Sequence, residues 1–247
     1  MLPTPPRWFA HRGGGSLAPE NTLAGIRLAA SLGYRAVEFD VMLNANGTPV
    51  LIHDETLERT TNGRGSVCAA SDSYLFSLDA GNGEPVPRFV DAVALCLEYG
   101  LLANVEIKPA AGYELVTAAV VAREAARLWQ GASVPPLLSS FSLLALAEAR
   151  RVAPHLQYGV LFDEVPDDWA EQVARLGAVS LHCNARRLAD ATLAEARGIG
   201  VPVLCYTVNS VAQARTLFER GVSSIFTDRL DLFVQETSAY KGLHLPG

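Results

Sequence analysis

Most of the chain alternates short runs of apolar and β-branched residues with longer stretches whose apolar positions recur every three or four residues. The first kind reads as buried strand and the second as amphipathic helix. Eight strands are predicted, at "RWFAH" (7–11), "AVEFDV" (36–41), "LANVEIK" (102–108), "PLLSSF" (136–141), "QYGVLF" (157–162), "AVSLH" (178–182), "PVLCYT" (202–207) and "SSIFTD" (223–228). Helical stretches lie between them, from "NTLAGIRLAASLG" to "SVAQARTLFERG"; several open near Asn, Asp or Ser and end in Gly, as helix start and stop signals should. Strand–helix alternation carried to eight strands predicts an α/β chain closed into a parallel (β/α)8 TIM barrel, with an open doubly wound sheet as the alternative.

The pattern breaks once, between residues 42 and 88. Asn46-Gly47 between two extended runs is a hairpin signal. The stretch beyond it is far longer than the roughly 2–6 residues of an ordinary βα connection, and such loops are usually functional. It is expected to be a hairpin and cap inserted after strand two, lying over the barrel mouth, within one domain spanning 1–247. The tail after Val234 is expected to be loosely held.

Composition narrows the partners. The 247 residues are 49% hydrophobic and 19% charged, enough for one large core. The net charge of -6, with no Lys/Arg-rich run, argues against nucleic acid or an anionic membrane surface as partner. No segment approaches the ~20 apolar residues of a membrane span, so stable membrane anchoring is not expected. "MLPTPPRW" lacks the apolar region of a secretory signal, and the four cysteines form no C-x-x-C pair; reduced thiols in a cytoplasmic protein are the expectation.

Barrel enzymes place their chemistry at the C-terminal ends of the strands. The ionisable residues there are His11 and Arg12, Glu38 and Asp40, Glu106 and Lys108, His182, Tyr206 and Asp228, with His53 ending the hairpin strand. Side chains two apart on a strand share a face, their α-carbons roughly 6.5 Å apart, so Glu38 and Asp40 should face the interior together, as should Glu106 and Lys108. Three carboxylates converging in a low-dielectric mouth repel one another unless protonated, paired with Arg or Lys, or bound to a cation. An all-oxygen set suits Mg²⁺ or Ca²⁺ rather than Zn²⁺.

His11 and His53 beside such a site suggest a general acid and base, although a single strand-end His is more often a satisfied polar residue. Arg12 and Lys108 supply fixed positive charge for a phosphate. Cation, histidine pair, Arg and Lys together describe phosphoryl chemistry. Ser139, Ser140 and Phe141 are candidate pocket linings, Tyr206 a candidate aromatic wall, and His182 and Asn184 polar positions at the rim. Neither a P-loop nor a G-x-G-x-x-G fingerprint is present, so nucleotide binding is not supported.

In order along residues 10 to 231, "AHRGGGSLAPENTLAGI", "VEFDVMLNANGTPVLIHDETLERTTNG", "NVEIKP", "LLSSF", "YTVN" and "FTDRLD" resemble the glycerophosphodiester phosphodiesterase family, most closely its cytoplasmic bacterial type. The resemblance implies one divalent ion, usually Mg²⁺ or Ca²⁺, held by Glu38, Asp40 and Glu106. It implies His11 and His53 as the acid/base pair and Arg12 and Lys108 as phosphate contacts. The implied substrates are small glycerophosphodiesters such as glycerophosphocholine or glycerophosphoethanolamine, cleaved to glycerol 3-phosphate and an alcohol. Many relatives carry Trp where this chain has Tyr206. A lysophospholipase D or sphingomyelinase-like enzyme and a catalytically silent phosphodiester-binding barrel are the alternatives. Gly13 to Gly15 are expected to let the backbone turn closely around the ligand, with Asn21 or Thr22 capping the first helix.

Overall fold

A computed structural model describes residues 5 to 239. Its strands are β1 (Trp8–Ala10), β2 (Ala36–Leu43), β3 (Pro49–Leu51), β4 (Leu102–Ile107), β5 (Leu137–Ser140), β6 (Gln157–Phe162), β7 (Ser180–Asn184), β8 (Val203–Tyr206) and β9 (Ser224–Thr227). Its helices are α1 (Leu23–Ser31), α2 (Asp72–Leu75), α3 (Phe89–Tyr99), α4 (Glu114–Leu128), α5 (Leu143–Val152), α6 (Trp169–Leu176), α7 (Asp190–Ile199), α8 (Val211–Arg220) and α9 (Leu230–Ala239). All strands but β3 pair in parallel, and the Ala10↔Val37 bridge between β1 and β2 closes them into a (β/α)8 barrel.

β2 explains how the barrel positions its chemistry. All eight of its residues are buried, so burial alone does not distinguish its faces. Val37, Phe39 and Val41 belong to the main core along with Phe89, Val93 and Cys96 of α3, and Phe39 meets Phe89 edge-on with ring centroids 6.3 Å apart. Glu38 and Asp40, on the opposite face, point inward. A plug of Phe9, Ala36, Leu102, Leu204 and Phe226 fills the barrel interior. At roughly 25 cal/mol per Å² of apolar area removed from water, these clusters supply the driving force that carries buried carboxylates.

The hairpin forms where Asn46-Gly47 marks it: β3 pairs antiparallel with the far end of β2, Val41 opposite Leu51. The segment that follows carries a small core of its own, built on Met42, Val50, Leu57, Val67, Leu75, Leu78 and Val86. β2 runs to Leu43 to make this pairing, so Glu38 and Asp40 lie mid-strand rather than at its end.

The described chain ends in a helix. α9 begins at Leu230 and continues past Val234, and Phe233 stacks on Trp8 with ring centroids 4.5 Å apart. The rest of the predicted loose tail, from residue 240 on, lies outside the described residues.

Candidate active site

β2 and β4 run parallel with Asp40 beside Glu106 and Glu38 beside Asn104. This register brings carboxylate oxygens of Glu38, Asp40 and Glu106 within 4.8 Å of one another, all three side chains buried. Burial, with the neighbouring charge of Asp40, pushes Glu38 and Glu106 above the usual carboxylate range. Burial opposes ionisation of Asp40 as well, yet Lys108, His53 and Arg12 together hold it below that range. The Lys108 ammonium stands 3.4 Å from both Asp40 and Glu106, and Arg12 Nε 3.8 Å from Asp40, too loose to neutralise three carboxylates. A buried, all-oxygen cluster short of positive charge fits a hard divalent cation.

His11 and Arg12 follow β1 directly, His11 just beyond the strand's end at Ala10. His11 Nδ1 donates to Asp228 Oδ1 at 2.6 Å, which leaves Nε2 facing Glu38 at 3.8 Å. Burial lowers the His11 pKa, but the Asp228 hydrogen bond and the charges of Glu38 and Asp228 outweigh it, and the net shift is upward. Asp228 is itself fixed by Asn209, whose Nδ2 donates to Oδ2 at 2.9 Å.

Two of the glycines after Arg12 have a packing role on this side of the site. A Cβ on Gly15 would stand 2.3 Å from the Asp228 carbonyl oxygen, and one on Gly14 2.8 Å from Gly25 in α1. They let the loop lie flush against β9 and α1, and the Ser16 amide then donates to the Asp228 carbonyl at 2.7 Å.

Thr22 caps α1, accepting from the Gly25 amide. Asn21 does something else: its Nδ2 donates to Asp40 Oδ2 at 2.9 Å while its Oδ1 accepts from the Asp40 amide at 3.0 Å. It fixes the orientation of a candidate metal ligand, a task the spacing of "PENT" does not reveal.

His53 follows β3, so the hairpin carries it to the mouth. Its Nδ1 donates to Asp54 Oδ1 at 2.6 Å, and Arg59 grips the same carboxylate through Nε and Nη2. Burial lowers the His53 pKa, and the opposing pull of Asp40 and Asp54 does not restore it.

The cavity holds about 130 Å³. Its walls bring together all eight candidates: His11, Arg12, Glu38, Asp40, His53, Glu106, Lys108 and Tyr206. His53 is the residue that the 42–88 insertion contributes to these walls. Tyr206 meets Phe141 edge-on at 5.8 Å, and its hydroxyl donates to the Phe162 carbonyl at 2.9 Å. Ser139 and Ser140 do not line the cavity; they bond to Asn104 and to the Ile107 carbonyl. His182 lies in the interior, 0% exposed, rather than at the rim, because Nε2 pairs with Ser180 at 3.0 Å and its ring packs on Phe226.

Carboxylates suited to a cation, two oriented imidazoles and two fixed positive charges converge on one opening at the C-terminal face of a barrel. A model of the glycerophosphoryl diester phosphodiesterase family matches residues 11–232. The chain belongs to that family. It is 31% identical over 234 residues to a glycerophosphodiester phosphodiesterase of Caldanaerobacter subterraneus subsp. tengcongensis, covering 89% of this chain and 93% of the relative. An Oleispira antarctica phosphodiesterase, solved in complex with the product sn-glycerol-3-phosphate, superposes with a TM-score of 0.88 at 32% identity, covering 95% of this chain and 97% of that one. The Thermotoga maritima glycerophosphodiester phosphodiesterase gives 0.77 at 26% identity, covering 93% and 97%. The chain is accordingly an enzyme, a glycerophosphodiester phosphodiesterase with a small-molecule site, and no described helix is long and apolar enough to cross a membrane.

Proposed function

We propose that the enzyme hydrolyses glycerophosphodiesters, such as glycerophosphocholine and glycerophosphoethanolamine, to sn-glycerol 3-phosphate and an alcohol. The observation that carries the reading is the placement of two separately anchored histidines beside three buried carboxylates in one cavity. Glu38, Asp40 and Glu106 would hold one Mg²⁺ or Ca²⁺. When bound, that ion supplies Lewis-acid stabilisation of the charge developing on phosphorus oxygens. Arg12 and Lys108 bind the phosphate, Arg12 through a guanidinium able to meet two oxygens. Tyr206 and Phe141 form the wall against which the substrate lies.

Proton transfer falls to His11 and His53. The surroundings that raise His11 suit it to protonate the leaving alkoxide, and those that lower His53 suit it to take the proton of the attacking hydroxyl. Residues 42–88 act as hairpin and cap of one catalytic domain spanning 1–247. A cytoplasmic setting is supported by four free cysteines, three of them buried.

The test is turnover of glycerophosphocholine by purified enzyme with Mg²⁺ or Ca²⁺ and then with excess chelator, scored by glycerol 3-phosphate. Turnover that persists in chelator removes the metal from the reading, and no glycerol 3-phosphate under any metal removes the substrate class. Glu106→Gln should weaken metal affinity measured by calorimetric titration while leaving the fold intact; unchanged affinity takes Glu106 out of the ligand set.

A further inference from the structure

Arg12 and His53 reach the mouth from different parts of the chain, one from the loop after β1 and the other from the inserted hairpin. A continuous chain of charged hydrogen bonds joins them. Arg12 Nη1 donates to Glu20 Oε1 at 2.9 Å. Arg59 donates to both oxygens of Glu20, Nη1 to Oε2 at 2.7 Å and Nη2 to Oε1 at 2.8 Å. The same guanidinium holds Asp54 through Nε and Nη2, and Asp54 Oδ1 accepts from His53 Nδ1 at 2.6 Å. Both Glu20 oxygens and three Arg59 nitrogens are thus engaged, in a forked geometry an ammonium group does not reproduce.

Stability is a poor explanation for this arrangement. The Arg59 side chain is 47% exposed, and ion pairs that open to water contribute little to folding. Geometry is a better one. His53 sits past a three-residue strand on a long insertion, and the position of an imidazole to within a fraction of an ångström decides proton transfer.

We propose that Glu20 and Arg59 are positioning residues of the phosphodiesterase reaction: Arg59 orients His53 through Asp54, and Glu20 joins that assembly to Arg12, fixing the span between phosphate-binding and proton-transferring groups. The proposal rests on the roles of His53 and Arg12 given above.

The test measures kcat and KM of the metal-loaded enzyme on glycerophosphocholine, with thermal midpoints alongside. Arg59→Ala should lose roughly 10–100-fold in kcat with KM little changed, as removal of an orienting partner does. Glu20→Ala should lower kcat and also raise KM, because Arg12 loses its partner too. The double variant should lose less kcat than the product of the two single losses, since both substitutions act on one chain of contacts. Arg59→Lys should fall between Arg59→Ala and the parent, and added guanidinium should recover part of the Arg59→Ala loss.

Losses that multiply in the double variant overturn the proposal. So does a fall in kcat that tracks the thermal midpoint and ignores guanidinium. His53→Asn separates the two readings: if it stays active, the role of His53 fails; if it is inactive while Arg59→Ala keeps native kcat, the positioning role alone fails.

Discussion

His11 and His53 each hold a carboxylate oxygen 2.6 Å from Nδ1, yet the two pairs are built in opposite ways. His11 stands on the barrel, and its partner Asp228 comes from the opposite end of the chain, 217 residues away, fixed by Asn209. His53 stands on the inserted hairpin, and its partner is the next residue, fixed by an exposed guanidinium. The outcome for the proton is opposite as well: His11 is raised, His53 lowered. A carboxylate at hydrogen-bond distance therefore does not set the proton affinity of an imidazole; the balance of burial and surrounding charge does. Both imidazoles feel charge of each sign: Glu38 and Asp228 outweigh burial and Arg12 at His11, whereas at His53 burial, Lys108 and Arg12 outweigh Asp40 and Asp54.

The largest effects should come from deleting either imidazole. His11→Ala and His53→Ala are each expected to cost ~10²–10⁴-fold in kcat, the range of general acid–base contributions. Neither should unfold the protein, since both side chains border an open cavity. A folded His11→Ala variant with near-native turnover would remove His11 from the mechanism. The pH profile of the parent should be a bell: activity is lost as falling pH protonates His53, and lost again as rising pH deprotonates His11.

His182 is the control for burial without a carboxylate. It is 0% exposed, and desolvation alone depresses its pKa to about 3. The folded value lies below the unfolded one, so its contribution to stability is present above about pH 6.5 and is lost as the pH falls. Between pH 7 and 4.5 this amounts to roughly 2–3 kcal/mol. Comparing denaturant unfolding of the parent with His182→Leu at both pH values isolates the effect, because the other titrating groups are common to both. Equal pH slopes would show that burial does not act on His182 as described, and the comparison with His11 would lose its baseline.

Asp228→Asn should then move His11 toward the behaviour of His182. Losing the charge lowers the His11 pKa, so the alkaline limb of the bell is expected at lower pH, with a ~10–100-fold fall in kcat. An unshifted alkaline limb would assign that limb to another group.

The barrel and most of the cavity were legible in the sequence because they depend on periodicity. Glu38-Phe39-Asp40 and Glu106-Ile107-Lys108 state their facing by alternation, and "HRG" and "HD" stand at strand ends. What was not legible depends on partners distant in sequence. Asp228 ends a strand and could be named, but nothing local ties it to His11. Asn21 looks like a helix cap, and only the close approach of the loop after β1 to β2 makes it a partner of Asp40. Glu20 and Arg59 stand 39 residues apart, and nothing local in the sequence pairs them. His182 was placed at the rim because a strand end suggests exposure, while its inward-facing register buries it. The glycines of "RGGGS" state a tight turn, but not that Gly14 and Gly15 pack against α1 and the Asp228 carbonyl.

The smallest effect is expected at the cavity wall, away from both histidines. Tyr206→Phe keeps the ring that meets Phe141 and removes the hydroxyl that donates to the Phe162 carbonyl at 2.9 Å. The loss of one hydrogen bond should cost about 1 kcal/mol of stability, with kcat hardly altered. Tyr206→Ala should raise KM instead, because the wall itself is gone. If Tyr206→Phe lowers kcat as far as Asp228→Asn does, the phenol takes part in proton transfer, and the account of two contrasting histidines must admit a third group.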